Sequence, residues 1–419
     1  MGLSFLIYTS LSTTYPAAAC LAARPLSYLG AAKGKPTYTM SLQLPSDLAT
    51  RPTPFYLYDL GLLRQTLQAA QRAAESRNIQ VHYALKANTN DPVLQLMREH
   101  GFGADCVSGN EVQRALEAGF APDHVVFAGV GKSDAEINRA LAADIWCFNV
   151  ESGPELEVLS ELAGALGKKA RVALRLNPNV DARTHHYITT GLKANKFGIG
   201  MAELPGVVDM LATLPHVELV GLHVHIGSQI TDISVFETLC HRVNELQQWF
   251  EHRGIVLPHL NVGGGLGVNY EQPDEQLIPD FEAYFSTIDQ YLRRRPEQQV
   301  HVELGRALVA QCGTLVSRVL YVKESQQTRF AILDAGMTEL IRPALYQSYH
   351  RIENLTSQGE EQLYDVVGPI CESSDSFGRR IALPETRRGD VVVLRTAGAY
   401  GEVMASNYNL RDKAPAVYV

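Results

Sequence analysis

The feature of this 419-residue chain that most constrains its fold is a change of hydrophobic period that repeats eight times between residues 62 and 305. Short apolar runs typical of buried strands alternate with stretches that place apolar residues on one helical face. One helical stretch carries Leu63, Leu67, Ala70 and Ala74 at spacings of three and four. The strand-like runs are VHYAL (Val81), GADCV (Gly103), HVVFAGV (His124), IWCFNV (Ile145), RVALRLN (Arg171), LVGLHVHI (Leu219), HLNVGGG (His259) and VHVEL (Val300).

This alternation predicts an α/β fold with a parallel sheet. Strands that are buried on both faces and separated by helices are typical of parallel sheets. Eight such units in succession match the (β/α)8 TIM barrel. An open doubly wound sheet contains the same local repeats and remains the alternative topology.

The sequence beyond the barrel changes to β-rich segments with turns, for example TLVSRVLYVKES and DVVVLRTAGAYG. It predicts a second domain, a mostly antiparallel β-barrel or sandwich. The strand-like run FYLYDL at residues 55–60 precedes the barrel and is expected to join this domain. We therefore expect the barrel at residues 62–305 and the β domain at residues 40–61 plus 306–419.

The first 39 residues differ from the rest, with no charge before Arg24 and much Ala, Ser, Thr and Tyr. They lack the positive start of a secretory signal. We expect a disordered extension or a misassigned start, with Met40 as the functional first residue.

Composition narrows the classes of function. Lys and Arg total 37 against 45 Asp and Glu, a net charge of −8, and no basic block indicates nucleic-acid binding. No stretch approaches the roughly 20 apolar residues of a membrane span. The six cysteines form no CxxC pair, which argues against a zinc site or a disulfide framework. We expect a cytoplasmic protein with a small-molecule partner.

Candidate catalytic residues follow the predicted strands. In a TIM barrel the active site lies at the carboxyl ends of the strands. Polar and glycine residues occur there, namely Lys86, His225 with Ser228, the GGGLG run from Gly263, and Glu303 with Arg306. Lys86 ends an apolar run, and an apolar setting is expected to lower its pKa toward the neutral amine that attacks an aldehyde cofactor.

The glycine run lets backbone N–H groups approach a phosphate, although a tight turn would also explain it. Ser228 could add a hydroxyl donor. His223 and His225 point to the same side of a strand, but no Cys or carboxylate at suitable spacing completes a metal site. We therefore expect no metal, one imidazole packed on a planar ring, and the other structural.

Glu303 needs a partner, because a buried carboxylate costs several kcal/mol when it is unpaired. Arg306 could form a structural ion pair with it. Alternatively, a protonated pyridine nitrogen could be the partner, which would keep a cofactor ring cationic and electron-withdrawing.

Seven motifs, in order, resemble those of the fold-type III pyridoxal-phosphate decarboxylases: YALKAN, HVHIGSQ, NVGGGLG, ELGRALVAQ, RPALYQSYH, GPICESSDSFG and AGAYGEVMASNYN. The resemblance extends from Phe55 to the C-terminus and implies that the cofactor is pyridoxal 5'-phosphate. It implies that Lys86 binds the cofactor aldehyde, His225 stacks on the ring, Glu303 pairs with the pyridinium, and Ser228, Gly263, Gly264, Gly265, Gly305, Arg306 and Tyr400 complete the cofactor site.

The same resemblance implies the substrate residues Arg306, Arg342, Tyr346, Glu372 and Tyr400, with Cys371 as the proton donor. Two arginines suit a distal carboxylate and Glu372 a distal ammonium, so we expect meso-2,6-diaminopimelate to be decarboxylated at its D-centre to L-lysine and CO2. A homodimer is implied, with Cys371 and Glu372 supplied by the opposite subunit. The alternatives are a decarboxylase of ornithine, arginine or carboxynorspermidine type, a racemase, and a non-catalytic cofactor carrier.

Overall fold

The computed structural model describes residues 44–180 and 196–419, so the expectation for residues 1–39 lies outside the described part. After a first strand, β1 (Phe55–Tyr58), eight parallel strands close into a barrel. The TIM-barrel prediction is confirmed and the open doubly wound sheet is wrong. The barrel strands are β2 (Ile79–Ala84), β3 (Gly103–Cys106), β4 (Val125–Phe127), β5 (Cys147–Val150), β6 (Ala170–Leu176), β7 (Val217–Val224), β8 (His259–Asn261) and β9 (Gln299–Leu304).

Helices surround the barrel and bury the faces that the sequence period indicates. The first begins after Asp59, whose side chain accepts a hydrogen bond of 2.8 Å from the Leu62 N–H, and it buries Leu63, Leu67 and Ala70. No helix in the described ranges is long and apolar enough to cross a membrane. The helices are α1 (Leu60–Glu75), α2 (Asp91–Glu99), α3 (Gly109–Glu117), α4 (Asp134–Ala142), α5 (Gly153–Ala165), α6 (Leu204–Leu211), α7 (Ser234–Glu251), α8 (Phe281–Tyr291), α9 (Arg306–Val309) and α10 (Arg342–Tyr346).

The remaining described strands form one eight-stranded, mostly antiparallel sheet, as predicted. Its strands are β1, β10 (Gly313–Ser325), β11 (Thr328–Leu333), β12 (Ile352–Asn354), β13 (Glu361–Val367), β14 (Ser376–Pro384), β15 (Val391–Leu394) and β16 (Ala416–Tyr418). The order is β12-β15-β10-β11-β13-β14, and β1 pairs with both β10 and β16. The short strands β12 and β16 were not anticipated, because three residues carry too little alternation to indicate a strand.

The β sheet reaches the barrel through the segment that follows β15. The backbone N–H of Tyr400 donates to the Ala87 carbonyl at 2.9 Å, and the Asn88 side chain donates to the Gly398 carbonyl at 3.0 Å. These contacts place Tyr400 beside the turn that carries Lys86. Two segments more than 300 positions apart therefore meet at the carboxyl end of the barrel.

Candidate active site

Lys86 lies in a single 3₁₀ turn, Leu85–Ala87, directly after β2, with its side chain 43% exposed. Its Nζ is 3.6 Å from Oδ2 of Asp105, near the end of β3. Burial lowers the pKa of Lys86, but Asp105, Tyr400 and Glu303 together outweigh burial and the pKa is raised, with Asp105 the strongest of the three. The prediction that the apolar setting lowers the Lys86 pKa is therefore wrong, because it overlooked this counter-ion.

Asp105 is almost fully buried, and neither carboxylate oxygen accepts a hydrogen bond from a described residue. Burial and the nearby Glu303 carboxylate raise the pKa of Asp105 above its usual range, while Lys86 opposes them. A buried carboxylate with free acceptor positions is costly unless another donor reaches it. The two carboxylate oxygens of Asp105 therefore mark the part of the site where a polar ligand group fits.

Glu303 lies one residue before the end of β9 and is held by three side chains from other strands of the barrel. Its Oε1 accepts hydrogen bonds from the amides of Asn149 at 3.0 Å and Asn261 at 2.7 Å, and its Oε2 lies 3.1 Å from Nε2 of His223. Burial by itself raises the pKa of Glu303, but His223 and Lys86 outweigh burial and hold the pKa below its usual range. Glu303 is thus a fixed carboxylate that can accept a proton-bearing nitrogen.

Arg306 does not form the ion pair with Glu303 that one interpretation of the sequence suggested. Its guanidinium instead donates to Oγ of Ser228 at 3.1 and 3.3 Å and to the Tyr270 hydroxyl at 2.6 Å. The same hydroxyl accepts a hydrogen bond of 2.9 Å from Arg342. Two buried guanidiniums therefore converge on a single oxygen atom beside Ser228.

His225 lies just beyond β7, and burial together with Arg175 lowers its pKa to about 3, so the ring is neutral. Its Nδ1 accepts a hydrogen bond of 3.3 Å from the Gly264 N–H, and the Gly263 N–H donates to Asn261 at 2.9 Å. A side chain at position 264 would overlap the Glu303 carbonyl. Glycines 263 and 264 thus let the chain after β8 approach the neighbouring strands. Of the three glycine N–H groups, only that of Gly265 donates no hydrogen bond to a described residue.

The side of the site next to Arg306 is completed by Gly305, Tyr400 and Tyr346. A Cβ atom at Gly305 would lie 3.2 Å from the Tyr400 hydroxyl, so the glycine leaves room for that ring. The Arg306 guanidinium lies 5.0 Å from the centre of the Tyr400 ring. Tyr346 is the last residue of α10 and half-buried, at the opposite end of that helix from Arg342.

The structure does not bring Cys371 and Glu372 to the barrel residues within one chain. Both are exposed, in the connection between β13 and β14. Glu372 accepts a hydrogen bond of 2.6 Å from the Tyr408 hydroxyl, and the Cys371 backbone N–H donates to the Asn409 side chain at 3.3 Å. The five cysteines of the described ranges are all free thiols.

These side chains fit the chemical groups of pyridoxal phosphate. Lys86 would hold the aldehyde carbon, Glu303 the pyridine nitrogen, and His225 one face of the ring. Ser228 and Gly265 would hold the phosphate with a hydroxyl and a backbone N–H. Apart from the ion pair with Lys86, the Asp105 oxygens accept no hydrogen bond from a described residue, which is an independent sign that the site is built for a polar ligand.

Four residues of this site were missed by the sequence analysis. Asp105, Asn149 and Asn261 are polar residues inside otherwise apolar strand runs, and that signal was available. Tyr270 lies in the loop after the glycine run, and nothing in its local sequence distinguishes it from a surface tyrosine.

Comparison with known proteins agrees with this geometry. Residues 60–310 match the family model described as the pyridoxal-binding domain of the pyridoxal-dependent decarboxylases. The chain is 57% identical to a diaminopimelate decarboxylase of Bacteroides thetaiotaomicron, over 87% of this chain and 94% of that one.

Two solved structures are also similar. Diaminopimelate decarboxylase from Helicobacter pylori complexed with L-lysine has a TM-score of 0.83 and 42% identity, with 88% of this chain and 92% of that chain covered. A lysine/ornithine decarboxylase from Vibrio vulnificus complexed with cadaverine has a TM-score of 0.78 and 25% identity, with 89% and 96% covered. The protein is a carboxy-lyase that uses pyridoxal 5'-phosphate. The chain belongs to the diaminopimelate decarboxylases, within the pyridoxal-dependent decarboxylase family.

Proposed function

We propose that this enzyme removes CO2 from the D-centre of meso-2,6-diaminopimelate and releases L-lysine, the last step of lysine biosynthesis. The observation that carries the proposal is that Arg306 and Arg342, both buried, donate to the same Tyr270 hydroxyl and therefore lie next to each other beside the cofactor-binding residues. Two guanidiniums at one point match the carboxylate at the far end of a diaminodicarboxylic acid. The names of the similar proteins support the same substrate.

When bound, pyridoxal phosphate accepts the electron pair that the departing carboxylate leaves on the substrate carbon. The protein decides which bond breaks by holding the substrate at its far end, with Arg306 and Arg342 on the carboxylate and Glu372 on the ammonium. Glu303 stays ionised because three donors stabilise its charge, and it would accept a hydrogen bond from the protonated ring nitrogen. Lys86, His225 and Cys371 are the proposed catalytic residues, with the Cys371 thiol returning a proton to the carbon.

We infer a homodimer in which each site takes Cys371 and Glu372 from the partner copy. Within one chain these residues contact Asn409 and Tyr408 and not the barrel, and the adjacent Leu410 is 96% exposed. Tyr408, two positions away, is also 47% exposed, and neighbouring exposed apolar side chains are commonly covered by another protein surface. We also infer a barrel domain at residues 62–305, a β domain at residues 40–61 plus 306–419, and a cytoplasmic location, which the free cysteines favour.

Substrate identity is tested by measuring CO2 release from meso-diaminopimelate, L-lysine, L-ornithine and L-arginine with the purified enzyme. Diaminopimelate should be turned over far faster than the other three. Arg342→Gln should lower kcat/KM for diaminopimelate roughly ten- to hundredfold, since a charge-assisted hydrogen-bond donor is lost. The matched control is Arg388→Gln, an exposed arginine of the β domain. Faster turnover of ornithine or arginine would identify a related decarboxylase instead.

Site sharing is tested by mixing two inactive variants, Lys86→Ala and Cys371→Ala, after dissociating and reassociating the chains. A heterodimer then contains one intact site, so activity should return to about a quarter of the wild-type value. No recovery, with heterodimers present by mass, would show that each site is built from one chain.

A further inference from the structure

We propose that Tyr270 is a specificity-determining residue whose hydroxyl is the third ligand of the distal substrate carboxylate, together with Arg306 and Arg342. This inference rests on the proposed function and deepens it by assigning a residue that selects for a carboxylate at that end. No strand or helix carries Tyr270; it lies between the glycine run after β8 and α8.

The hydrogen-bond pattern around the Tyr270 hydroxyl leaves its proton available. Arg306 donates to the oxygen at 2.6 Å and Arg342 donates at 2.9 Å, so both described partners are donors. A hydroxyl has two acceptor positions and one hydrogen, and here the acceptor positions are used. The hydrogen is therefore left for an acceptor, and a carboxylate oxygen next to two guanidiniums is the acceptor that their charge attracts.

The charges around the Tyr270 hydroxyl also favour a carboxylate as its hydrogen-bond acceptor. Burial raises the pKa of Tyr270, but the two guanidiniums outweigh burial and lower it, so the hydroxyl is a stronger hydrogen-bond donor than an ordinary tyrosine. Within the described ranges neither Arg306 nor Arg342 forms an ion pair with a carboxylate, so the two guanidiniums share one neutral oxygen and carry two positive charges. An anionic ligand supplies the missing charge, whereas a ligand without a carboxylate does not.

The position of Tyr270 is set by contacts from the β domain. Its ring meets the His350 ring edge-on at 5.2 Å, and Nε2 of His350 lies 3.2 Å from the Arg342 guanidinium. The other ring nitrogen of His350 pairs with the Arg395 carbonyl at 3.0 Å. Tyr270 comes from the barrel while Arg342 and His350 come from the β domain, so the hydroxyl joins the two halves of the carboxylate site.

The test compares two ligands that differ only in the carboxylate. L-lysine and cadaverine are titrated into the holoenzyme by calorimetry, for the wild type, Tyr270→Phe and Tyr284→Phe. The control hydroxyl of Tyr284 is buried and has no hydrogen-bond partner among the described residues. Tyr270→Phe should weaken L-lysine binding roughly ten- to hundredfold and leave cadaverine binding unchanged, because only the carboxylate loses a donor. The cofactor absorbance should not change, and Tyr284→Phe should behave as wild type.

The outcomes separate this inference from the proposed function. If the wild type prefers L-lysine to cadaverine and Tyr270→Phe keeps the same preference, the role of Tyr270 is refuted and the substrate assignment stands. If Tyr270→Phe removes the preference although the wild type does not decarboxylate diaminopimelate, the carboxylate role stands and the substrate assignment fails. If Tyr270→Phe unfolds at a markedly lower temperature, Tyr270→Met, which also lacks a donor, replaces it, and an unchanged preference in that folded variant would also refute the role.

Discussion

The interior of the barrel contains two polar layers that are built differently. The upper layer, at the carboxyl ends of the strands, holds ionic groups, including Lys86 with Asp105 and Glu303 with its three donors. The lower layer lies one step nearer the amino ends, since His259 and His301 precede Asn261 and Glu303 by two residues on the same strands.

The lower layer is a chain of neutral rings. His82 and His301 lie 3.0 Å apart between ring nitrogens, and His301 and His259 lie 3.1 Å apart. Trp146 stacks on His301 with ring centres 4.5 Å apart. Burial lowers the pKa of each of the three histidines, so the hydrogen bonds join uncharged imidazoles. The comparison teaches that these two layers of the barrel interior divide the roles: the charged groups lie in the layer that performs chemistry, while the layer beneath is neutral and supports the fold.

The largest effect on activity is expected when the amine of Lys86, in the upper layer, is removed. Lys86→Ala should lower kcat by about three orders of magnitude or more, because the covalent link to the cofactor is lost. The absorbance of the lysine-bound cofactor should disappear as well. Lys323→Ala, at an exposed lysine of β10, is the control. Borohydride trapping and peptide mapping that labelled another lysine would contradict the assignment.

The lower layer should make stability depend on pH. Burial lowers the pKa of His82 from 6.5 to about 4, so the unfolded chain binds a proton before the folded one does. This contribution is complete above pH 6.5 and is lost as the pH falls toward 4, a change of about 3 kcal/mol. Urea unfolding between these pH values measures it. His82→Met should flatten the dependence, whereas His241→Gln, at a histidine with a 59% exposed side chain, should not.

Removing one of the hydrogen bonds that Glu303 accepts should change the pH dependence of activity, which separates the upper layer from the lower one. Asn261→Ala removes the hydrogen bond of 2.7 Å to Oε1, so the pKa of Glu303 should rise and the acid side of the kcat/KM profile should move to higher pH. We expect activity at neutral pH to fall roughly tenfold. An unchanged profile with reduced stability would mean that Asn261 only supports the glycine turn.

The smallest expected effect is on the stacking ring of the lower layer. Trp146→Phe keeps an aromatic face against His301 but loses contact area, so the free energy of unfolding should fall by about 1 kcal/mol. The kinetic constants should stay at wild-type values. A clear loss of activity in a stably folded Trp146→Phe enzyme would break the division of roles between the two layers.

Local sequence was sufficient to identify the eight strands and the positions of Lys86, Ser228 and Glu303 at their carboxyl ends. Periods of two and 3.6 residues are local properties, and parallel strands that close into a barrel bring their ends together without further information. The raised pKa of Lys86 could not be foreseen, because its counter-ion Asp105 lies on the next strand and the sequence does not say how close the two side chains come.

Cross-barrel and cross-domain contacts depended on the packing of the whole chain. Asn149 donates to Glu303 from 154 positions away, and Tyr270 lies between two arginines because the loop after β8 meets the β domain there. Such contacts arise from side-chain packing among segments distant in the chain, which no periodic pattern encodes. The sequence therefore determined the kind of chemistry, whereas the residues that shift each pKa were decided by the tertiary structure, because they lie on segments that meet only in the closed barrel.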